Sequence, residues 1–227
     1  MTQLVSPELE LPKGRVLIGS KGEILGTLPD VKVTAVIQTF NAAKGLEETL
    51  KSLRDRVDRV LVIDGYFTMN DNPHYHPPRT KTGGSTDDSE AVAKKYGAIW
   101  IPADREYKTQ KDKLNRIPEL VNDGDWIFLI DTDEVLVSYI RDGLRSMASW
   151  FSQWDCDMVM MKLDEPFYAH PQTGQYGRHR FYARLLKARK NMRWENEATI
   201  IWPGAKVQTY AGTFPMTVYL RHLRQQH

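Results

Sequence analysis

The chain has 227 residues, 41% of them apolar, with 31 Lys and Arg against 29 Asp and Glu. That size and composition suit one packed domain with appendages and exclude a disordered or fibrous chain. The near-neutral balance excludes a general nucleic-acid binder, and the lone Cys156 excludes an intrachain disulfide or a cysteine zinc site and reads as core filler.

Residues 15–27 (RVLIGSKGEILGT) read as two short strands around a Ser-Lys-Gly turn, a hairpin in an N-terminal extension spanning 1–30. From residue 31 to 227 a single domain is expected. VTAVIQ (33–38) is a β-branched run, hence a strand buried on both faces. Leu46, Leu50, Leu53 and Val57 then fall at helical spacing. RVLVID (59–64) is a second buried strand, and STDDSEAVAKKYGA (85–98) a helix stopping at Gly97. AIWIP (98–102) is a third strand, 108–122 a helix that Pro118 should bend or split, and WIFLID (126–131) a fourth strand. Ile140, Leu144, Met147 and Phe151 mark a further helix.

Beyond residue 155 short strand candidates follow with little helix between them: MVMMKL, RFYARLL, ATIIW and KVQTY. The expected fold is α/β, with a mainly parallel central sheet, helices on both faces and a smaller strand-rich C-terminal half. Residues 31–136 form the first half and 137–227 the second. The loop from Tyr66 to Gly84 is long and rich in Pro, Gly and Asn, a length that often marks function. Its His74 and His76 lack a third ligand nearby and read as loop residues. No stretch reaches the roughly 20 apolar residues that span a bilayer. The N-terminus lacks the basic start and apolar run of a signal peptide, so a cytoplasmic location is expected.

Three strands finish in polar residues where open α/β sheets bind ligands, at their carboxyl ends. The first leads into Gln38, Thr39 and Asn41, the second ends at Asp64, and the fourth ends in Asp131-Thr132-Asp133, followed by Glu134. In an extended segment Asp131 and Asp133 would point the same way. Two converging carboxylates call for a cation, and oxygen ligands favour Mg2+ or Mn2+. An isolated Asp-x-Asp would more readily cap a helix, here one beginning near Ser138; its coincidence with Thr39 and Asp64 on one rim reverses that preference in favour of the metal. Neither G-x-G-x-x-G nor G-x-x-x-x-G-K-[ST] occurs, which removes the main support for a nicotinamide dehydrogenase or a P-loop nucleotidase.

The segments VTAVIQTFN, VLVIDG, STDDSEAVAKKYGA and DWIFLIDTDEVL together resemble the inverting glycosyltransferases of family 2, which have the GT-A fold. The resemblance covers residues 31–136 well and continues more weakly through 178–204 and VYLRHL. It implies a Rossmann-like nucleotide-sugar half and an acceptor half. It also implies transfer of a sugar, hexosyltransferase style, from a nucleotide-sugar donor (a UDP-sugar by family habit) to a glycan, lipid-linked or protein acceptor. Thr39 and Asp64 would contact base and ribose, with Asn41 beside them. Asp131 would lie at the ribose, diphosphate and metal, Asp133 would bind the metal, and His222 would complete that site. Lys113 would face the diphosphate, with Lys111 and Arg116 as competing choices.

Two departures stand out. About twenty residues separate Gly65 from the STD segment, which brings Asp87 into competition with Asp64. The segment RWENEATI lacks the family's histidine, so Glu197 is the first candidate for the base and Glu195 the second. Asp164 and Glu165 are outsiders for that role, and Trp194, Tyr168 and His170 are candidates for an acceptor platform. Two other readings compete: a sugar-phosphate nucleotidyltransferase, which normally needs a glycine-rich, arginine-bearing loop after the first strand, and a non-catalytic nucleotide-sugar or carbohydrate-binding module.

Overall fold

The computed structural model describes residues 15–18, 24–68, 77–138, 142–153, 156–169, 176–195, 200–201, 209–210 and 218–222. Strands β1 (Arg15–Ile18) and β2 (Ile24–Leu28) form the expected antiparallel hairpin, with Arg15 opposite Leu28. Strands β3 (Val33–Thr39), β4 (Arg59–Asp64), β5 (Ile99–Ile101) and β6 (Trp126–Asp131) lie parallel in the order β5-β4-β3-β6. The β3 side chains enter two cores, Val33, Ala35 and Ile37 on one face and Val36 on the other. A strand covered on both faces needs no polar alternation, which is why its sequence reads as a continuous apolar run.

Helix α1 (Ala43–Leu53) buries Leu46, Leu50 and Leu53 in the first core, and Val57 packs against that core beyond the helix end. Helix α2 (Ser89–Lys95) is shorter than the expected 85–98: Ser85 bonds to the distant Asp64, and Asp87, one oxygen on Ala43 N and the other on Ser89 N, stands just ahead of the helix. It stops at Gly97, whose φ of +71° lets Ala98 N reach back to Ala93 O at 3.0 Å. The segment 108–122 is divided into α3 (Gln110–Leu114) and α4 (Ile117–Leu120). Pro118 lies in the first turn of α4, where its missing N–H leaves no helical bond unmade.

The chain proceeds from β3 outward through β4 to β5, then returns to the other side of β3 as β6. Accordingly Leu46 of α1 and Ala93 of α2 belong to one core, and Leu114 of α3 and Ile117 of α4 to the other. The reversal leaves a switch point between the carboxyl ends of β3 and β6, the place where such sheets take ligands.

Past Asp131 the chain leaves this layer. The sequence suggests a helix beginning near Ser138, but Glu134–Ser138 forms strand β7, favoured by the β-branched Val135 and Val137, and α5 begins only at Gly143 and runs to Gln153. Ile140 lies outside the described residues; Leu144, Met147 and Phe151 are buried as expected. The second half supplies β8 (Met158–Ala169), β9 (Tyr176–Lys187), β10 (Arg193–Trp194), β11 (Ile200–Ile201), β12 (Thr209–Tyr210) and β13 (Val218–His222). Strand β9 joins β6 and β8 antiparallel to both, and β13 links β8 to β7, so the described residues form a nine-stranded mixed sheet. Cys156 is buried in the first core.

Strand β7 is an edge, and an open edge of unpaired backbone groups is a liability. Three α1-side residues cover it: Thr49 Oγ1 donates to Glu134 O at 2.7 Å, Leu136 N donates to Ser52 Oγ at 3.0 Å, and Arg56 Nη1 donates to Leu136 O at 3.1 Å. Gly45 of α1 lies so close to the turn before β7 that a Cβ there would overlap the Thr132 carbonyl oxygen. Replacing glycine by alanine inside a helix normally stabilises by about 1 kcal/mol. Gly45→Ala is expected to do the reverse, destabilising by about 1–3 kcal/mol through overpacking. Urea denaturation gives the sign, and a gain in stability would show that α1 does not press on the turn.

Candidate functional site

The turn between β6 and β7 carries the acidic triplet. Thr132 and Asp133 form a tight turn, so the extended i, i+2 geometry expected of Asp131 and Asp133 is not what the chain adopts. Asp131 ends β6 with its side chain 39% exposed, whereas the Glu134 side chain is 0% exposed. A buried carboxyl group must find donors. Glu134 Oε2 accepts from Asp131 N at 3.1 Å, and Glu134 Oε1 accepts from Arg184 Nη2 at 2.5 Å. The same Arg184 Nη2 donates to Asp131 Oδ2 at 2.7 Å. Burial pulls the Arg184 guanidinium down, but Asp131 and Glu134 outweigh it and hold its pKa above the ordinary value. Asp133 is partly exposed and has no hydrogen-bond or ion-pair partner among the described residues.

Arg184 was not evident in the sequence. It reaches the turn because β9 lies beside β6, with Leu185 opposite Phe128. It is also the extra residue of a bulge: Leu185 opposes Val159 and Ala183 opposes Met160, leaving Arg184 unmatched on β8. Bulges re-aim side chains. The signal that could have found it is the Glu134 carboxyl itself, which follows a buried strand and needs a cation.

Thr39 and Asp64 are neighbours in register at the ends of β3 and β4, and Gln38 is the neighbour of Asp131. Alternation along the strands therefore puts Thr39 and Asp64 on the α1 face of the sheet, and Gln38 and Asp131 on the α3–α4 face. The four share the carboxyl edge but not one face, a correction to the single rim expected. Asp64 is 3% exposed and its carboxylate is taken up by Ser85, accepting from Ser85 N at 2.9 Å and Ser85 Oγ at 2.6 Å. Asn41 clamps the same return segment, donating from Nδ2 to Pro78 O and accepting from Thr86 N, each at 2.8 Å. Asp87 accepts from Ala43 N and Ser89 N, both at 3.0 Å, tying the start of α1 to α2. The buried Thr39 Oγ1 and Gln38 Oε1, by contrast, have no hydrogen-bond partner among the described residues.

Lys113 is 1% exposed. Its Nζ donates to Thr39 O at 2.6 Å and Gly65 O at 2.9 Å, pinning the ends of β3 and β4 together, and lies 5.1 Å from the Phe67 ring centre. It thus faces backbone carbonyls rather than open space. Burial pushes its pKa from 10.5 to about 7, against the pull of Asp64. Arg116 turns aside, donating to Tyr107 OH at 2.9 Å and Pro102 O at 3.3 Å, and Lys111 is partly buried on α3.

Trp194 is 2% exposed and belongs to the second core, so it offers no open platform. Asn115 brackets its backbone, accepting from Trp194 N at 2.8 Å and donating to Trp194 O at 3.1 Å. That pins the start of the segment in which Glu195 follows, exposed. Glu197, His74, His76 and His170 lie outside the described residues. Asp164, Glu165 and Tyr168 are placed along β8 by backbone alone. His222 ends β13 directly opposite Glu134, which sets its backbone beside the acidic turn.

Among the described residues no group of three or more His, Cys, Asp or Glu is arranged to hold a metal ion, and no helix is long and apolar enough to cross a membrane. The exposed donor set is the pair Asp131 and Asp133. One or two carboxylates, with phosphate or water filling the other positions, suit Mg2+ or Mn2+. The residues present fit such an ion.

No family model and no curated protein matches the sequence. Among solved structures the chain is similar to TarS of S. aureus, at 17% identity and a TM-score of 0.45 over 63% of this chain and 24% of that one. It is also similar to glucosyl-3-phosphoglycerate synthase of Mycobacterium tuberculosis in complex with Mn2+, uridine diphosphate and phosphoglyceric acid, at 19% identity and a TM-score of 0.37 over 59% and 43% of the two chains. The complex of that synthase with phosphoglyceric acid gives 20% and 0.40 over 59% and 44%. The chain thus spans less than half the length of each, and TM-scores below 0.5 leave its chemistry to be read from its own geometry.

The Lys113 shift has a consequence for stability with a definite sign. In the unfolded chain lysine keeps its proton to about pH 10.4, whereas folded Lys113 sheds it near 7. Between those values the unfolded state binds more protons, so stability rises with pH. Urea denaturation at pH 7 and pH 9.5 should show a gain on the order of a few kcal/mol that Lys113→Met lacks. Parallel pH profiles for the two proteins would contradict the assignment.

Proposed function

We propose that this chain is a metal-dependent inverting glycosyltransferase of the GT-A type, moving a sugar from a nucleotide-sugar donor, a UDP-sugar by family resemblance, to an acceptor hydroxyl. The observation that carries the reading is the position of Asp131-Thr132-Asp133. It presents partly exposed carboxylates at the switch point between β3 and β6, where an open α/β sheet takes a nucleotide. The family 2 pattern in the sequence agrees with that position.

In this reading Asp131 and Asp133 hold Mn2+ or Mg2+, with His222 as the third ligand. The bound ion would supply Lewis-acid stabilisation of the departing nucleoside diphosphate. The nucleotide lies across the edge of the sheet, where the unpartnered Thr39 Oγ1 and Gln38 Oε1 offer hydrogen-bonding groups on either face. Asp64 and Asn41 act from behind, holding the Pro78–Thr86 segment that borders the nucleotide. Lys113 holds the ends of β3 and β4 at the spacing the nucleotide needs. Glu197, or Glu195 in its stead, takes the proton of the attacking hydroxyl; positioned general bases contribute on the order of 10²–10⁴-fold.

The test is release of nucleoside diphosphate from UDP-sugars incubated with Mn2+, with water as the acceptor where no other is supplied. Asp133→Ala is expected to lose on the order of 10²–10³-fold, the range for losing one electrostatic stabiliser, while keeping its circular dichroism. Turnover that persists in a chelator, or pyrophosphate release from a nucleoside triphosphate and a sugar phosphate, would overturn the reading.

A further inference from the structure

We infer that Arg184 and Glu134 work as a positioning pair for Asp131, an inference that rests on reading Asp131 and Asp133 as the cation site. The acidic triplet suggests three equivalent carboxylates, but the geometry divides them. Glu134 is fully buried, with one oxygen on Asp131 N and the other on Arg184 Nη2, so neither is presented outward. Arg184 Nη2 continues to Asp131 Oδ2, closing a ring that holds both the backbone amide and one carboxylate oxygen of Asp131. The Asp131 side chain nevertheless keeps 39% of its surface open. Its orientation is therefore set from below, and a face of it remains for a ligand.

Two features mark this as more than general stabilisation. Arg184 reaches the turn by way of a bulge, a local departure from the β8–β9 ladder that aims a single residue. Its buried Nε has no partner among the described residues, a cost that an arrangement built for stability alone would avoid. A buried ion pair is weak evidence of stability in any case, because well-packed apolar residues of similar volume commonly match it. What the pair provides is one fixed geometry for the residue that meets the cation, as outer-sphere partners of metal ligands do.

The experiment combines amide hydrogen exchange with titration of Mn2+ alone, followed by electron paramagnetic resonance. It compares the wild type with Arg184→Met, Arg184→Lys and Glu134→Gln. In Arg184→Met the Asp131 amide should lose protection while Phe128 and Ile130 in the core of β6 keep theirs, and Mn2+ affinity should fall about 10–100-fold. Arg184→Lys, which keeps a cation able to bridge the carboxylates, should recover part of both. If Arg184→Met does not fold, Glu134→Gln, which keeps the shape of the side chain, should show the same two losses in milder form. Wild-type affinity for Mn2+ together with an unchanged Asp131 amide in the variants overturns the pair and leaves the cation site standing. A wild type that binds no Mn2+ overturns the cation site itself.

Discussion

A carboxyl group with no surface exposure at the end of a buried strand has to be met by donors, and meeting Glu134 organises this part of the molecule. Its donors are the Asp131 amide and the Arg184 guanidinium, so β6, β7 and β9 converge on one turn. It is β9, lying antiparallel against β6, that brings Arg184 to the turn. Without α1 covering the open edge of β7 the turn would have no support on its other side. The strand-rich second half is thus the structural complement of an acidic turn that belongs to the first half.

The switch point decides what that turn can do. Sheet order β5-β4-β3-β6 leaves the crevice between β3 and β6, and Asp131 occupies the β6 side of it. On the β3 side the polar residues are mostly committed to the protein. Asp64 and Asn41 fasten the segment returning from the long loop, and Lys113 fastens the ends of two strands. In the proposed reading their part is to shape the crevice. Among the described residues the groups not committed in this way are Asp133, the open face of Asp131, Thr39 Oγ1 and Gln38 Oε1, a small set whose chemistry would suit a cation and a hydrogen-bonding nucleotide.

Local signals were legible where burial was complete. Residues 59–64 and 126–131 are strands from end to end because apolar, β-branched runs between two helical layers have no other use. Gly97 stops its helix and Pro118 divides its own for reasons of backbone alone. Illegible were features made by distant partners. Ser85 looks like a helix-start residue but is spent on Asp64, and Asp87 divides its carboxylate between the start of α2 and the start of α1. EVLVS became a strand because β13, eighty residues on, pairs with it. Trp194 and Lys113 look like binding residues by type and pattern, and only burial shows where their polar and apolar surfaces go. Arg184 lies inside an unremarkable strand, and its role depends on a bulge and on which strand is its neighbour.

In the proposed reading a divalent ion is held at the Thr132–Asp133 turn. Paramagnetic broadening of assigned amide resonances by substoichiometric Mn2+ tests it directly. The expected result is loss of signal centred on Asp131 to Glu134 and spreading to the end of β3 and to His222, with the β1–β2 hairpin and the outer face of α2 untouched. Broadening centred on another part of the surface, or none above that of free Mn2+ in solution, would contradict it.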